Sequence, residues 1–192
     1  MTLLSRIAVI FLITLPFTLA QAGEDKYAES LAEFKKSAVV QKFLKDAYGY
    51  ALFPTIGKGG LGIGGAHGKG QVYRAGTVTG VAKMSQLTIG LQAGGQAFSQ
   101  IIFFENQKSF EQFTKGEFEF GAQATAVAIT ASANAQAGTT GNAAGASRKA
   151  DAGVQKAEYV KGMVVFTYAK GGLMYEASLG GQKFSYKSKE KK

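Results

Sequence analysis

The chain has 192 residues, with 22 Lys and Arg against 13 Asp and Glu (net charge +9), a single His and no Cys. Without cysteine there can be no disulfide, thiol nucleophile or thiolate metal site. The length fits one domain with a core of its own, since domains typically run to ~100–150 residues.

Met1 to Arg6 carries one cation, Ile7 to Leu19 is an almost unbroken apolar run, and Ala20-Gln21-Ala22 sets small residues at the two positions a signal peptidase reads. These features predict a secretory signal over residues 1–22, cleaved near Ala22, followed by one domain over 23–192. The apolar run is shorter than the ~20 residues that span a bilayer. An exported, cysteine-free chain of this size suits a bacterial envelope, so the expected location is periplasmic or secreted, peripheral to the membrane. Removing Arg6 leaves 21 basic residues against 13 acidic ones, a charge of +8.

From Asp25 to Ala47 the pattern is helical. Tyr27, Leu31, Phe34 and Ala38 mark one face, while Val40, Phe43, Leu44 and Ala47 fall on nearly the opposite one. A single straight helix cannot bury both stripes against one surface. The pattern therefore predicts two short helices, or one bent sharply near Ser37. They either cover the core or insert into a membrane as amphipathic helices, their polar faces carrying Lys35, Lys36, Lys42 and Lys45.

The helical reading extends to Pro54, after which the period becomes two. Gly60, Gly62 and Gly64 alternate with Leu61 and Ile63, and Leu87, Ile89 and Leu91 repeat the alternation. Repeated glycine inside a strand implies close approach of another backbone or of an aromatic ring. Ile101 to Phe104 suits a central strand, and Glu105 to Lys115 a short helix stopped by Gly116. Phe118 to Asn134 alternates as one long strand would, and 135–153 is a small, polar, glycine-rich flexible loop. Val160–Tyr168, Leu173–Leu179 and Lys183–Tyr186, separated by glycine turns, predict an antiparallel meander before a basic tail at 187–192. The fold class is α+β: compact and β-rich, with a mainly antiparallel sheet or barrel-like core, glycine-faced strands, two N-terminal helices and one helix near 105–115.

Enzymatic motifs fail in turn. Gly57, Gly59 and Gly62 match GxGxxG, but strand-like sequence follows them, with no acid before Glu105. Gly68-Lys69 precedes glycine where a Walker loop needs Ser or Thr. His67 has neither Cys nor a nearby acid to join it as a metal ligand, and reads as a surface histidine. Glu117 and Glu119 share a strand face, as a glycosidase pair could, but flank Lys115 and read as a solvated edge. No catalytic residue, cofactor or metal is expected.

Charge is more informative. Residues 49–104 contain Lys58, Lys69, Arg74 and Lys83 and no acid, so an anion meets no fixed repulsion there. In an envelope the abundant anions are phospholipid head groups and glycans. Nucleic acid is not an expected partner.

Three blocks, "YGYALFPTIGKGGLGIGGAHGKGQVY", "IGLQAGGQAFSQIIFF" and "YAKGGLMYEASLGGQKF", resemble in order and spacing the signature blocks of the SYLF-domain family. That family is a lipid-binding module, also described as actin-binding in eukaryotic endocytic adaptors. The resemblance implies a β-rich fold with covering helices and affinity for phosphoinositides and other anionic lipids. Actin is not expected as the partner of an exported bacterial protein. The lipid contact is assigned to Lys58, Lys69, Arg74 and Lys83, with Lys35 and Lys42 from the helices. The alternative is a structural module that binds an envelope protein along an exposed sheet edge.

The mature protein is expected to begin near Gly23. Intact mass of protein recovered from the envelope fraction checks this, and a mass retaining Met1 to Ala22 contradicts it.

Overall fold

The computed structural model describes residues 18–121, 124, 126–129, 157–170 and 179–189. Helices α1 (Thr18–Lys35) and α2 (Ala38–Asp46) precede two very long strands, β1 (Gly49–Arg74) and β2 (Thr77–Phe104). Helix α3 (Gln107–Thr114) and strands β3 (Glu117–Glu119), β4 (Val127–Ile129), β5 (Met163–Lys170) and β6 (Gln182–Ser188) follow. The class is α+β. Among the described residues the sheet does not close: its path runs β3-β6-β2-β5-β4, with β1 on the other edge of β2. All pairings are antiparallel except β4 with β5. No described helix is long and apolar enough to cross a membrane.

The two opposed stripes do break the helix at Ser37, although α1 is longer than expected and reaches back to Thr18. Ser37 takes an extended conformation without a side-chain cap. The side chain of Gln41 donates to the Lys35 carbonyl across the break at 2.7 Å, satisfying one of the carbonyls a helix end leaves open. Phe34 from α1 and Val40 from α2 are thereby buried against the same cluster. Helix α3 starts on a reciprocal cap between Asn106 and Ser109 and drives Phe110 and Phe113 into the core. Gly116, at φ +126°, follows its end.

The helical reading up to Pro54 is wrong. Helix α2 ends at Asp46, and Gly49 to Phe53 already pairs with β2. Pro54 sits inside β1 at an interruption of the ladder between Phe53 and Ile56, where its missing N–H costs nothing. Its carbonyl accepts from Ser99 Oγ at 2.8 Å. GxGxxG therefore follows a strand after all, but the chain continues as strand and no helix N-terminus stands behind the glycines.

The β1–β2 hairpin doubles back on itself. A Cβ at Gly70 would lie 2.7 Å from the Leu52 carbonyl oxygen and from the Phe53 ring, and one at Gly68 would lie 2.6 Å from Ile56 Cγ1. The start and end of one strand are thus stacked face to face at backbone contact. Strand β2 shows the same bend. Gln86 and Gln100 are 14 residues apart, a separation of ~46 Å in a straight strand at ~3.3 Å per residue, yet both hydrogen-bond the buried side chain of Gln182.

Strands β5 and β6 lie end to end along one edge of β2, facing residues 97–104 and 80–86. They are therefore not outer members of a meander; its middle segment, Leu173–Leu179, falls outside the described residues apart from Leu179, as does the 135–153 loop. The long strand expected over Phe118–Asn134 is also broken. A turn closed by Ala124 N–H donating to the Gly121 carbonyl at 3.0 Å separates β3 from β4. Phe118 and Phe120 keep the alternation because both rings pack on Phe184.

Ile101 to Phe104 is buried on both faces. Ile102 and Phe104 enter the cluster between the stacked halves, while Ile101 and Phe103 meet α1 and α2. The order of layers is helices, first sheet half, second sheet half, and the outer face of the second half is open.

Gly70→Ala is expected to lose about 1–3 kcal/mol through overpacking against Leu52 and Phe53. Gly57→Ala should be neutral or stabilising by up to about 1 kcal/mol, because nothing lies within 4 Å of a Cβ there. Urea unfolding of the two variants checks the contrast; equal midpoints would contradict the stacked arrangement.

Candidate functional site

Along the second half of the hairpin, even-numbered side chains point inward and odd-numbered ones outward. Ala66, Gly68, Gly70, Ala82, Met84 and Gln86 are buried, whereas His67, Lys69, Val81, Lys83, Ser85 and Leu87 are exposed. The glycine backbone at 68 and 70 therefore belongs to the core and is not itself an anion-accepting surface. What it does is hold the outward residues in register on one face.

Cross-strand register fixes that array. Lys69 stands opposite Lys83, which stands opposite Ser185 and then Glu117. The next row is His67, Ser85, Lys183 and Glu119, and on the other side Gln71 faces Val81, which faces Lys187. Four lysines, 69, 83, 183 and 187, thus share the exposed face of three adjacent strands. A shallow depression of about 580 Å³ runs across it, bordered by His67, Lys83, Ser85, Lys183 and the two glutamates.

Among the described residues, acids on this face occur only on the rim, on β3. Glu119 Oε2 lies 3.8 Å from Lys183 Nζ, an exposed pair of little energetic weight. Neither Lys69 nor Lys83 has an acidic partner among the described residues. Like charges placed directly opposite on one face of an antiparallel pair are destabilising by a few tenths to about 1 kcal/mol, so this row is not there for the fold. Two aliphatic side chains bracket it: Val81, 44 % exposed, and Leu87, 71 % exposed.

The six cations singled out in the sequence do not form one site. Lys69 and Lys83 are brought together. Arg74 is exposed at the hairpin tip, before the Ala75-Gly76 turn in which both φ angles are positive. Lys58, paired with Gln96, lies beyond the bend in the glycine-rich part of β1. Lys35 and Lys42 are exposed on α1 and α2, with both sheet halves between the helices and the Lys69–Lys83 face. Lys183 lies a hundred residues downstream of Lys83, and Lys187 reads in the sequence as the start of the basic tail at 187–192; that boundary is wrong, since β6 runs to Ser188 and pairs Lys187 with Val81. The alternation Lys183, Ser185, Lys187 against Gln182, Phe184, Tyr186 is the signal for it. Glu117 and Glu119 are exposed at the sheet edge, as the solvated-edge reading expects.

Burial raises the pKa of three half-buried phenols, Tyr27, Tyr50 and, most strongly, Tyr159. The Tyr159 phenol is pushed up to about 12 by burial, with Glu105 and Asp46 adding to the shift. It is neutral at physiological pH, its ring edge-on to Phe43.

A family model described as Ysc84, Las17-binding protein actin regulator, matches residues 85–192, more than half of the chain. No curated protein matches it. The matched segment contains Lys183 and Lys187 and begins at Ser85, two residues after Lys83.

Lys83→Glu should raise stability by up to about 1 kcal/mol at low salt, because it converts a repulsive cross-strand pair into an attractive one. The gain should shrink near 1 M salt, where the Debye length is ~3 Å. Lys58→Glu, with no cation opposite, is the control. Urea unfolding at two ionic strengths reads both, and a loss of stability on Lys83→Glu would mean that the two lysines do not face each other.

Proposed function

Because the chain belongs to the Ysc84, or SYLF-domain, family, a family of binding domains, we propose that it is a non-catalytic protein that docks on anionic phospholipid surfaces. The docking face is the outward side of β1, β2 and β6. The observation that carries this reading is the group of Lys69, Lys83, Lys183 and Lys187 on one face of three adjacent strands, exposed and, among the described residues, opposed by no acid except at its β3 rim. Each lysine near an anionic membrane contributes about 1 kcal/mol. That exceeds the repulsion the row stores within the fold. Val81 and Leu87 add apolar contact at the two ends of the array.

The site of action we propose is the bacterial envelope, periplasmic or secreted, after cleavage near Ala22. Cleavage there would leave Gly23–Lys35 of α1 in place. The description of the family names actin; an exported chain would not meet it, and the membrane surface is the partner proposed here. A second reading, a protein partner added along a sheet edge, has one observation in its favour: among the described residues β1 pairs only through the edge it shares with β2. Salt separates the two, since screening weakens a lysine–lipid contact and leaves main-chain pairing largely intact.

Flotation with liposomes of phosphatidylcholine alone or with phosphatidylglycerol tests the proposal. Changing Lys69, Lys83, Lys183 and Lys187 together to Gln should lower affinity for the anionic vesicles by at least about tenfold, equivalent to ~1.4 kcal/mol. Changing Lys35, Lys42, Lys58 and Arg74 together should cost less than about threefold. The reverse order, or binding indifferent to salt and to phosphatidylglycerol, would overturn it.

A further inference from the structure

Between β3 and the start of β5 lies a partly enclosed cavity of about 350 Å³, which meets the sheet-face depression only at Phe118 and Glu119. We propose that it binds the tail of a single-chain anionic amphiphile, whose head group rests on Lys161. Its inner wall and Lys161 lie outside that depression, and the proposal does not depend on the reading of the sheet face.

The lining is graded from apolar to charged. Phe120, Met163, Val165 and Leu179, all buried, form the inner wall. Lys161 and Val160 stand at the mouth, Val160 being 71 % exposed. An exposed aliphatic beside a cation at the entrance of an apolar cavity matches a ligand with one charged end and one hydrocarbon end. The volume is at the lower end of small-molecule sites, which run ~300–1,000 Å³. At ~30 Å³ per water-sized group it takes about a dozen methylenes, enough for one chain and not for the two of a phospholipid.

The mouth is preformed. Val160 and Met163 exchange both backbone hydrogen bonds, at 2.9 and 3.1 Å, around a turn in which Lys161 (φ 53°) and Gly162 (φ 76°) are left-handed. Glu105 N–H donates to the Gly162 carbonyl at 2.9 Å, and a Cβ at Gly162 would meet Ser109 Cβ at 2.9 Å, so the turn is seated on the start of α3. Two carboxylates also line the cavity: Glu119 is turned to Lys183 at 3.8 Å, and Glu158 is engaged by a contact of its own. Lys161 has no acidic partner among the described residues, which makes it the charge available to a ligand.

The full chain is titrated with 11-(dansylamino)undecanoate, and octanoate, decanoate and dodecanoate are used to displace it. Each buried methylene contributes about fourfold in affinity, so two carbons should give more than tenfold per step until the cavity is full. A lysophosphatidate of the same chain length is run beside dodecanoate, and the tighter of the two identifies the head group. Lys161→Gln should weaken dodecanoate about fivefold and Lys161→Arg should restore it. Ala124→Leu, which fills the cavity, should weaken it at least tenfold. All three variants should float with anionic vesicles as the parent does. Displacement that is not saturable, does not depend on chain length, or is unchanged in Lys161→Gln would overturn the proposal; the last of these uses an exposed residue whose replacement leaves the fold intact.

Discussion

Backbone contact at Gly68 and Gly70 is the constraint on which the remaining architecture rests. Any side chain there would strike Leu52, Phe53 or Ile56, and the two halves of the β1–β2 hairpin could not stack. Stacking brings Gln86 and Gln100 onto Gln182 and presses Phe53 against Phe184. It also leaves the second half of the sheet covered on one side only, so the alternation that buries Ala66 and Met84 turns His67, Lys69, Lys83 and Ser85 to solvent. The glycines shape that surface and take no part in it.

That surface runs against the usual economy of a sheet. Cross-strand neighbours on an exposed face ordinarily alternate in sign or are neutral, because opposing like charges destabilises. Here Lys69 faces Lys83 while the acids stand two strands away on β3. The destabilisation is small beside what the same charges gain near an anionic membrane, about 1 kcal/mol each, and the proposal follows from that comparison of magnitudes. The packed interior beneath, with Met84 and Phe184 buried, keeps the lysines in register without an internal counter-charge.

Local signals in the sequence were read well and long-range ones poorly. The break at Ser37 follows from two stripes that no single helix can bury, and α3 from Phe110, Phe113 and Gly116. Ile101 to Phe104 announced a strand buried on both faces. Beyond that, periodicity of two says that a segment is extended and alternately buried, but not which other strand it meets or whether it doubles back. The same pattern in Phe118 to Asn134 therefore suggested one strand where a turn at Gly121–Ala124 intervenes, and glycine turns near 171 and 180 suggested a meander where β5 and β6 both line β2. For the same reason the candidate site was half legible. Lys69 and Lys83 belong to one hairpin and could be grouped from sequence; Lys183 and Lys187 reach them only through β6.

The most direct test of the proposed docking face uses the absence of cysteine, which allows a single environment-sensitive label to be placed at will. Ser85→Cys puts it at the centre of the exposed face of β2, and Ala38→Cys puts it on the exposed side of α2. On vesicles containing phosphatidylglycerol, the label at 85 is expected to shift to the blue and to be quenched by nitroxide-bearing lipid, while the label at 38 stays aqueous. A label at 38 that enters the lipid while the one at 85 stays in water would place the contact on the helices and contradict the account.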